Sequence, residues 1–180
     1  MSCPQEPKPV KLVTSLIYSD HEAYEKALSL LNQKMGAIDF IEEDFPFTFT
    51  EYYTREMGRP LWRSFFGFKA LILRETLVDI KLFTNEIENN LAKEDGRRTL
   101  NIDPGYLSDS QLVLATGKNF AHRIYLGRGL FGDLTLMFKN NQFQIFPWTY
   151  PDYQKEPIRS LLLKMRERYV RDFREHFYEK

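Results

Sequence analysis

A chain of 180 residues with 43% hydrophobic and 28% charged positions is long enough to bury a core and too apolar to remain disordered. Its formal net charge of +0 excludes bulk, non-specific attraction to nucleic acid. The charge is nevertheless uneven: Met1–Asp95 carries 11 bases and 16 acids, and Gly96–Lys180 carries 14 bases and 9 acids. A local basic face in the second half stays open.

One cysteine, Cys3, leaves no disulfide framework within the chain and fits a reducing compartment. The first residues are polar and dotted with Pro4, Pro7 and Pro9, without an apolar signal region. No apolar run approaches the roughly 20 residues that span a bilayer. The expectation is a cytoplasmic protein without a membrane segment. Residues 1–9 would form a disordered tail, and residues 10–180 one domain.

Val10 to Tyr18 is apolar and partly β-branched, which predicts a strand. Ser19 with Glu22 reads as a capping box. Tyr24, Ala27, Leu28, Leu31 and Met35 then recur at helical spacing, and Gly36 supplies a stop. Ala37 to Tyr53 is strand-like, with Phe45, Phe47 and Phe49 at a period of two. Pro46 assigns it to a sheet edge or a bulge. Met57 to Pro60 signals a turn, and Leu61 to Leu73 a returning strand. Thr76 with Asp79 opens a second helix whose buried side is Leu77, Ile80, Phe83, Ile87 and Leu91.

The next strand is supplied by Leu100–Ile102 or by Leu112–Thr116. Ile124–Leu126, Leu130–Phe138 and Phe143–Phe146 follow, with Asn140-Asn141 as a hairpin turn. A last helix from about Glu156 to Phe177 places Ile158, Leu161, Leu162, Met165, Tyr169, Phe173 and Phe177 on one stripe. The predicted class is α+β. It has a ferredoxin-like split βαβ core, an extended antiparallel sheet and a C-terminal amphipathic helix.

Polar chemistry concentrates between Arg97 and Arg128. In NIDPGYL, Pro104-Gly105 predicts a turn that leaves Asp103 at a strand end. There its carboxylate can face a cleft as base or ligand, or bond its own backbone in an Asx turn. Lys118 and Asn119 follow Gly117, where a strand end can offer an anion N–H groups and an ammonium; a solvated turn suits them equally. The P-loop pattern is absent, since Leu112 and Asn119 stand where it needs Gly and Ser or Thr.

In HRIYLGR, strand alternation sends His122 and Arg123 to opposite faces unless a bulge intervenes. His122 can donate to phosphate, shuttle a proton or serve structure alone. Lys81, Thr84, Asn85 and Glu88 occupy neighbouring parts of one helix, as a solvated face or as the rim of a cleft. Glu88 with Asp103 gives a two-carboxylate candidate for magnesium. WTYPDY, from Trp148 to Tyr153, can stack a ligand ring or pin a loop on the core. The last helix carries Arg159, Lys164, Arg166, Arg168, Arg171 and Arg174, partly offset by Glu167, Asp172 and Glu175.

The combination of FPFTFTEYYTREMG, IKLFTNEIE, NIDPGYL, LVLATGK, AHRIYLGRG and WTYPDY resembles a bacterial family, domain-of-unknown-function family 4416, from about Val10 to Tyr153. The resemblance implies no activity, substrate or catalytic residue, and none is carried over. A GTP-binding label attached to some members does not suit a chain without the P-loop.

The leading expectation is binding of a small anionic ligand, phosphorylated or carboxylated, with a nucleotide among the candidates. Lys118, Asn119, Arg123 and Arg128 would hold the anion, Asp103 and His122 would orient it or move protons, and Tyr106 or Trp148 would stack on it. The alternatives are an RNA- or protein-binding module using the basic last helix, and a magnesium-dependent phosphotransfer or hydrolytic enzyme using Glu88 and Asp103.

Overall fold

The structure, a computed structural model, describes residues 3–177 apart from the side chains of Glu43, Asp44, His176 and Phe177. The predicted place of Phe177 in the last helical stripe therefore lies outside the described residues. In chain order the elements are β1 (Val10–Tyr18), α1 (His21–Met35), β2 (Ile38–Pro46), α2 (Thr54–Met57), β3 (Trp62–Ile72), α3 (Leu77–Asn90) and β4 (Leu100–Leu107). There follow β5 (Gln111–Thr116), β6 (Arg123–Gly127), β7 (Leu130–Lys139), β8 (Gln142–Ile145) and α4 (Ile158–Phe177).

All nine residues of β1 are buried, because the sheet is covered on both faces. Leu12, Leu16 and Tyr18 pack with Phe66, Phe68, Leu100 and Ile102 under α1 and α3. Val13, one position out of phase, packs with Phe65, Leu112, Leu136 and the Leu161–Met165 stripe of α4. Each such large apolar side chain contributes about 1.5–3 kcal/mol on leaving water. The strands form one antiparallel sheet in the order β2-β3-β1-β4-β5-β7-β6, with β8 also paired to β7.

Several local expectations are corrected. Asp20, not Ser19, caps α1, accepting from the amides of Glu22 and Ala23. The Ser19 N–H instead donates to Thr99 O, just before β4. The strand predicted over Ala37–Tyr53 stops at Pro46, which does lie on an edge strand. Phe47 turns into a small core with Ile17, Met57 and Leu61, and Phe49 is left exposed. Thr76 precedes α3 but bonds Leu73 O instead of capping the helix with its side chain. Gly36, with φ 87°, does end α1, and Asn140 and Asn141, at 53° and 59°, do form the β7–β8 turn.

The most consequential correction concerns NIDPGYL. It contains no turn: β4 runs through Pro104-Gly105 to Leu107, and Asp103 sits within it opposite Ser15 of β1. β4 pairs with β5 only at Gly105–Leu107, whereas β5 stays paired with β7 out to Thr116. The two strands therefore diverge on the Leu100–Pro104 side. Gly105 marks the last close approach, where a Cβ would lie 2.5 Å from Val113 O. Pro104 has no amide to leave unpaired at the point of divergence.

At the far margin, β6 exposes Ile124 (72%) and Tyr125 (61%). The turn leading out of it is tied to the start of α3 by the Arg128–Asp79 ion pair.

Candidate functional site

The separation of β4 from β5 leaves backbone groups of β4 without a strand partner. Two side chains of α3 replace it. Ile102 N–H donates to Glu88 Oε1 at 2.8 Å, and Lys81 Nζ donates to Ile102 O at 2.6 Å. Both side chains are buried. The polar positions Lys81, Thr84 and Glu88 thus face inward, and the solvated-face alternative for them is excluded.

Beside this splice lies a cavity of about 610 Å³, a volume suited to a small molecule. Ile17, Asn101 and Asp103 line it from the sheet, and Lys81, Asn85 and Glu88 from α3. Ala115–Lys118 continue the wall beyond the β4–β5 pairing. Phe47, Phe49, Tyr52 and Tyr53 contribute rings from the segment between β2 and β3, and Tyr150 and Tyr153 from the segment before α4.

The charges of the wall are extensively paired. Arg63, buried in β3, forms an ion pair with the equally buried Asp152. It donates to Ser15 Oγ at 2.8 Å and Tyr153 Oη at 3.2 Å. Arg98 grips Glu56 through two nitrogens, at 2.9 and 2.6 Å, and donates to Asn101 Oδ1. Asn101 in turn donates to Asp103 Oδ2 at 2.8 Å. Lys81 Nζ stands 3.7 Å from Glu88 and 4.0 Å from Asp103. Asp133, in β7, accepts from Arg123 Nε at 2.9 Å and from the Thr135 hydroxyl.

Environment sets the acidities. Hydrogen bonding from Arg98 holds the Glu56 carboxyl below its ordinary range. Burial raises the Tyr53, Tyr150 and Tyr153 phenols, so their hydroxyls stay protonated at neutral pH. Burial also raises Glu88, against the opposing pull of Lys81 and the Ile102 amide. A raised carboxyl favours the folded state below its unfolded pKa and loses that contribution as pH rises through the folded value. Wild-type stability should therefore decline relative to Glu88→Gln as pH climbs above the ordinary glutamate range. Denaturant midpoints measured at successive pH values check this, and parallel curves for the two proteins would refute it.

The sequence-predicted residues divide clearly. Asp103 and Lys118 line the same cavity. Arg123 lies behind its wall, donating to Lys118 O, Asp133 and the Tyr150 hydroxyl. His122 and Arg123 converge on the same Asp133 oxygen, contrary to strand alternation, because β6 begins only at Arg123. His122 stacks on Trp148, whose indole N–H donates to Leu134 O. Neither ring is among the lining residues, and the Trp148 loop is pinned to the sheet. Asn119 is exposed outside the cavity. Tyr106 is engaged by Gln111 and Arg74. Arg128 is engaged by Asp79.

Arg63, Asp133 and Asp152 were not singled out from sequence. The first two had a readable signal, a charge at a position flanked mainly by apolar residues within a strand. Nothing local marks Asp152 as the partner of Arg63.

Lys81 already supplies positive charge between Glu88 and Asp103, where a magnesium ion would have to sit. Among the described residues, no group of three or more His, Cys, Asp or Glu side chains is arranged to hold a metal. On α4, Arg166 covers the Phe138 ring and donates to Asp109 O, and Arg168 binds Asp39. Among the described residues, no helix is long and apolar enough to cross a membrane.

Fold and cavity together define an α+β protein with a mixed-charge, ring-lined pocket at a parting of two strands. The family model for domain-of-unknown-function family 4416 matches residues 8–169, and the chain belongs to that family. No curated protein and no solved structure matches it.

Proposed function

We propose that this protein binds a small anionic ligand in the cavity between β4 and β5. One observation carries the reading: among the described residues, Lys118 is the cavity-lining cation without a carboxylate in ion-pair range. Among the described residues its ammonium contacts only Tyr52, 3.5 Å from the hydroxyl and 4.5 Å from the ring centroid. Its backbone is braced by Thr116 and Arg123, at 3.1 and 2.9 Å, so the turn that presents the ammonium is already ordered. Asp103 and Asn85 face the same space and can orient the uncharged part of the ligand. His122 and Arg123 support the wall and do not touch the ligand.

A thermal-shift screen with phosphate, sugar phosphates, nucleotides and carboxylates tests the reading. A bound anion at a hundred times its dissociation constant should add about 2.7 kcal/mol of stability. Lys118→Glu should abolish that gain while leaving the unliganded midpoint nearly unchanged, since Lys118 is exposed. No stabilisation by any anion in the panel refutes the proposal.

Two finer assignments belong with it. The first four strands, in the order β2-β3-β1-β4 with α1 and α3 on one face, support a ferredoxin-like split βαβ core. The single cysteine supports a reducing, cytoplasmic setting.

A further inference from the structure

We infer that the ligand is a singly charged carboxylate carried on a flat ring, not a nucleoside di- or triphosphate. This rests on the proposed binding site and narrows its chemistry.

Charge at the cavity limits what can bind. Four cations line it, Arg63, Lys81, Arg98 and Lys118, and four acids, Glu88, Asp103, Asp133 and Asp152. Each cation except Lys118 has a carboxylate partner: Arg63 has Asp152, Lys81 has Glu88, and Arg98 has Glu56. Asp133 is held by Arg123 from behind the wall. One ammonium is therefore left to meet an anion, and it neutralises one negative charge. A polyphosphate would bring several more, toward a wall that already carries four carboxyl groups. It would also meet no Gly-rich phosphate loop, since Leu112 and Asn119 stand where that pattern needs Gly and Ser or Thr.

The surroundings of Lys118 specify the rest of the molecule. Its ammonium lies over Tyr52, and Tyr52 meets Tyr53 edge-on at 5.0 Å between centroids. Phe49, 41% exposed, lies 5.8 Å from Phe47. A ring attached to the carboxylate can cover these faces. Farther along the wall, the Asn85 amide has no hydrogen-bond partner among the described residues. Asp103 Oδ1, among the described residues, has only Lys81, at 4.0 Å. One is an open donor and acceptor and the other an open acceptor, so a hydroxyl or amino group on the ring has partners there.

Isothermal titration calorimetry with the full chain decides the matter. The carboxylate probes are benzoate, 4-hydroxyphenylacetate and indole-3-acetate, and the phosphate probes are inorganic phosphate, AMP, ADP and ATP. At least one aromatic carboxylate should bind more tightly than ADP and ATP. Lys118→Met should weaken it about ten- to a hundredfold, and Lys164→Met, at an exposed site on α4, should leave it unchanged. Tighter binding of ADP or ATP, lost in Lys118→Met, would overturn the monocarboxylate assignment and leave the anion site standing. Failure of every carboxylate probe would overturn the assignment too, and silence from both sets would remove the site with it.

Discussion

Replacing Arg63 with alanine should lower the stability of this protein by about 3–5 kcal/mol. For a chain of this size that is a fall in melting temperature of roughly 6–20 °C. The guanidinium is buried against Asp152, Ser15 and Tyr153, and lies 4.9–5.5 Å from the ring centroids of Tyr153, Phe65 and Phe47. Truncation leaves the Asp152 carboxylate desolvated without a counter-charge, and removes the guanidinium from the faces of three rings. The double variant Arg63→Met with Asp152→Leu should recover much of the loss, because no uncompensated charge then remains. Urea denaturation of wild type, Arg63→Met, Asp152→Leu and the double variant completes the cycle. A loss below about 1 kcal/mol for Arg63→Ala would mean that the pair is solvated in the folded protein.

Lys81→Met should be comparably damaging, by about 3–5 kcal/mol, for a different combination of reasons. Methionine keeps the length of the side chain but leaves Ile102 O without its donor and Glu88 with one of its two cations, Arg98, which like Lys81 stands 3.7 Å away. The loss should be larger at neutral pH than in mild acid, because protonating Glu88 removes a buried charge that has lost part of its compensation. Denaturant midpoints at two pH values give both the size and the direction. A pH-independent loss would assign the whole effect to the carbonyl bond and packing.

Much of the scaffold was legible in the sequence because period and punctuation are local. VKLVTSLIY, the heptad-like spacing of α1, Gly36, and Asn140-Asn141 each announce themselves within a few residues. The errors fell where long-range pairing overrode a local cue. Pro104-Gly105 has the composition of a turn, yet in β4 the proline sits where a donor is not needed and the glycine where two backbones nearly touch. The site was legible in part. The segment containing Asp103 and Lys118 was conspicuous, and both residues do face one cavity. Arg128 lay in the same segment but is held by an acid 49 positions away in sequence. Arg63 and Asp152 meet across a separation that no spacing rule can reveal. Charge inventories are properties of neighbours in space, and a linear reading sees only neighbours in the chain.

The exchange at Ile102 gives the sheet an ionisable seam. In ordinary strand pairing neither partner titrates, so protons in solution leave the ladder untouched. Here a carboxyl and an ammonium complete the ladder, and the same two groups look into the pocket. The acidity of the medium therefore acts on one main-chain amide through Glu88, and a ligand held at the proposed site would act on the same amide, so the hydrogen-exchange rate of Ile102 would report both.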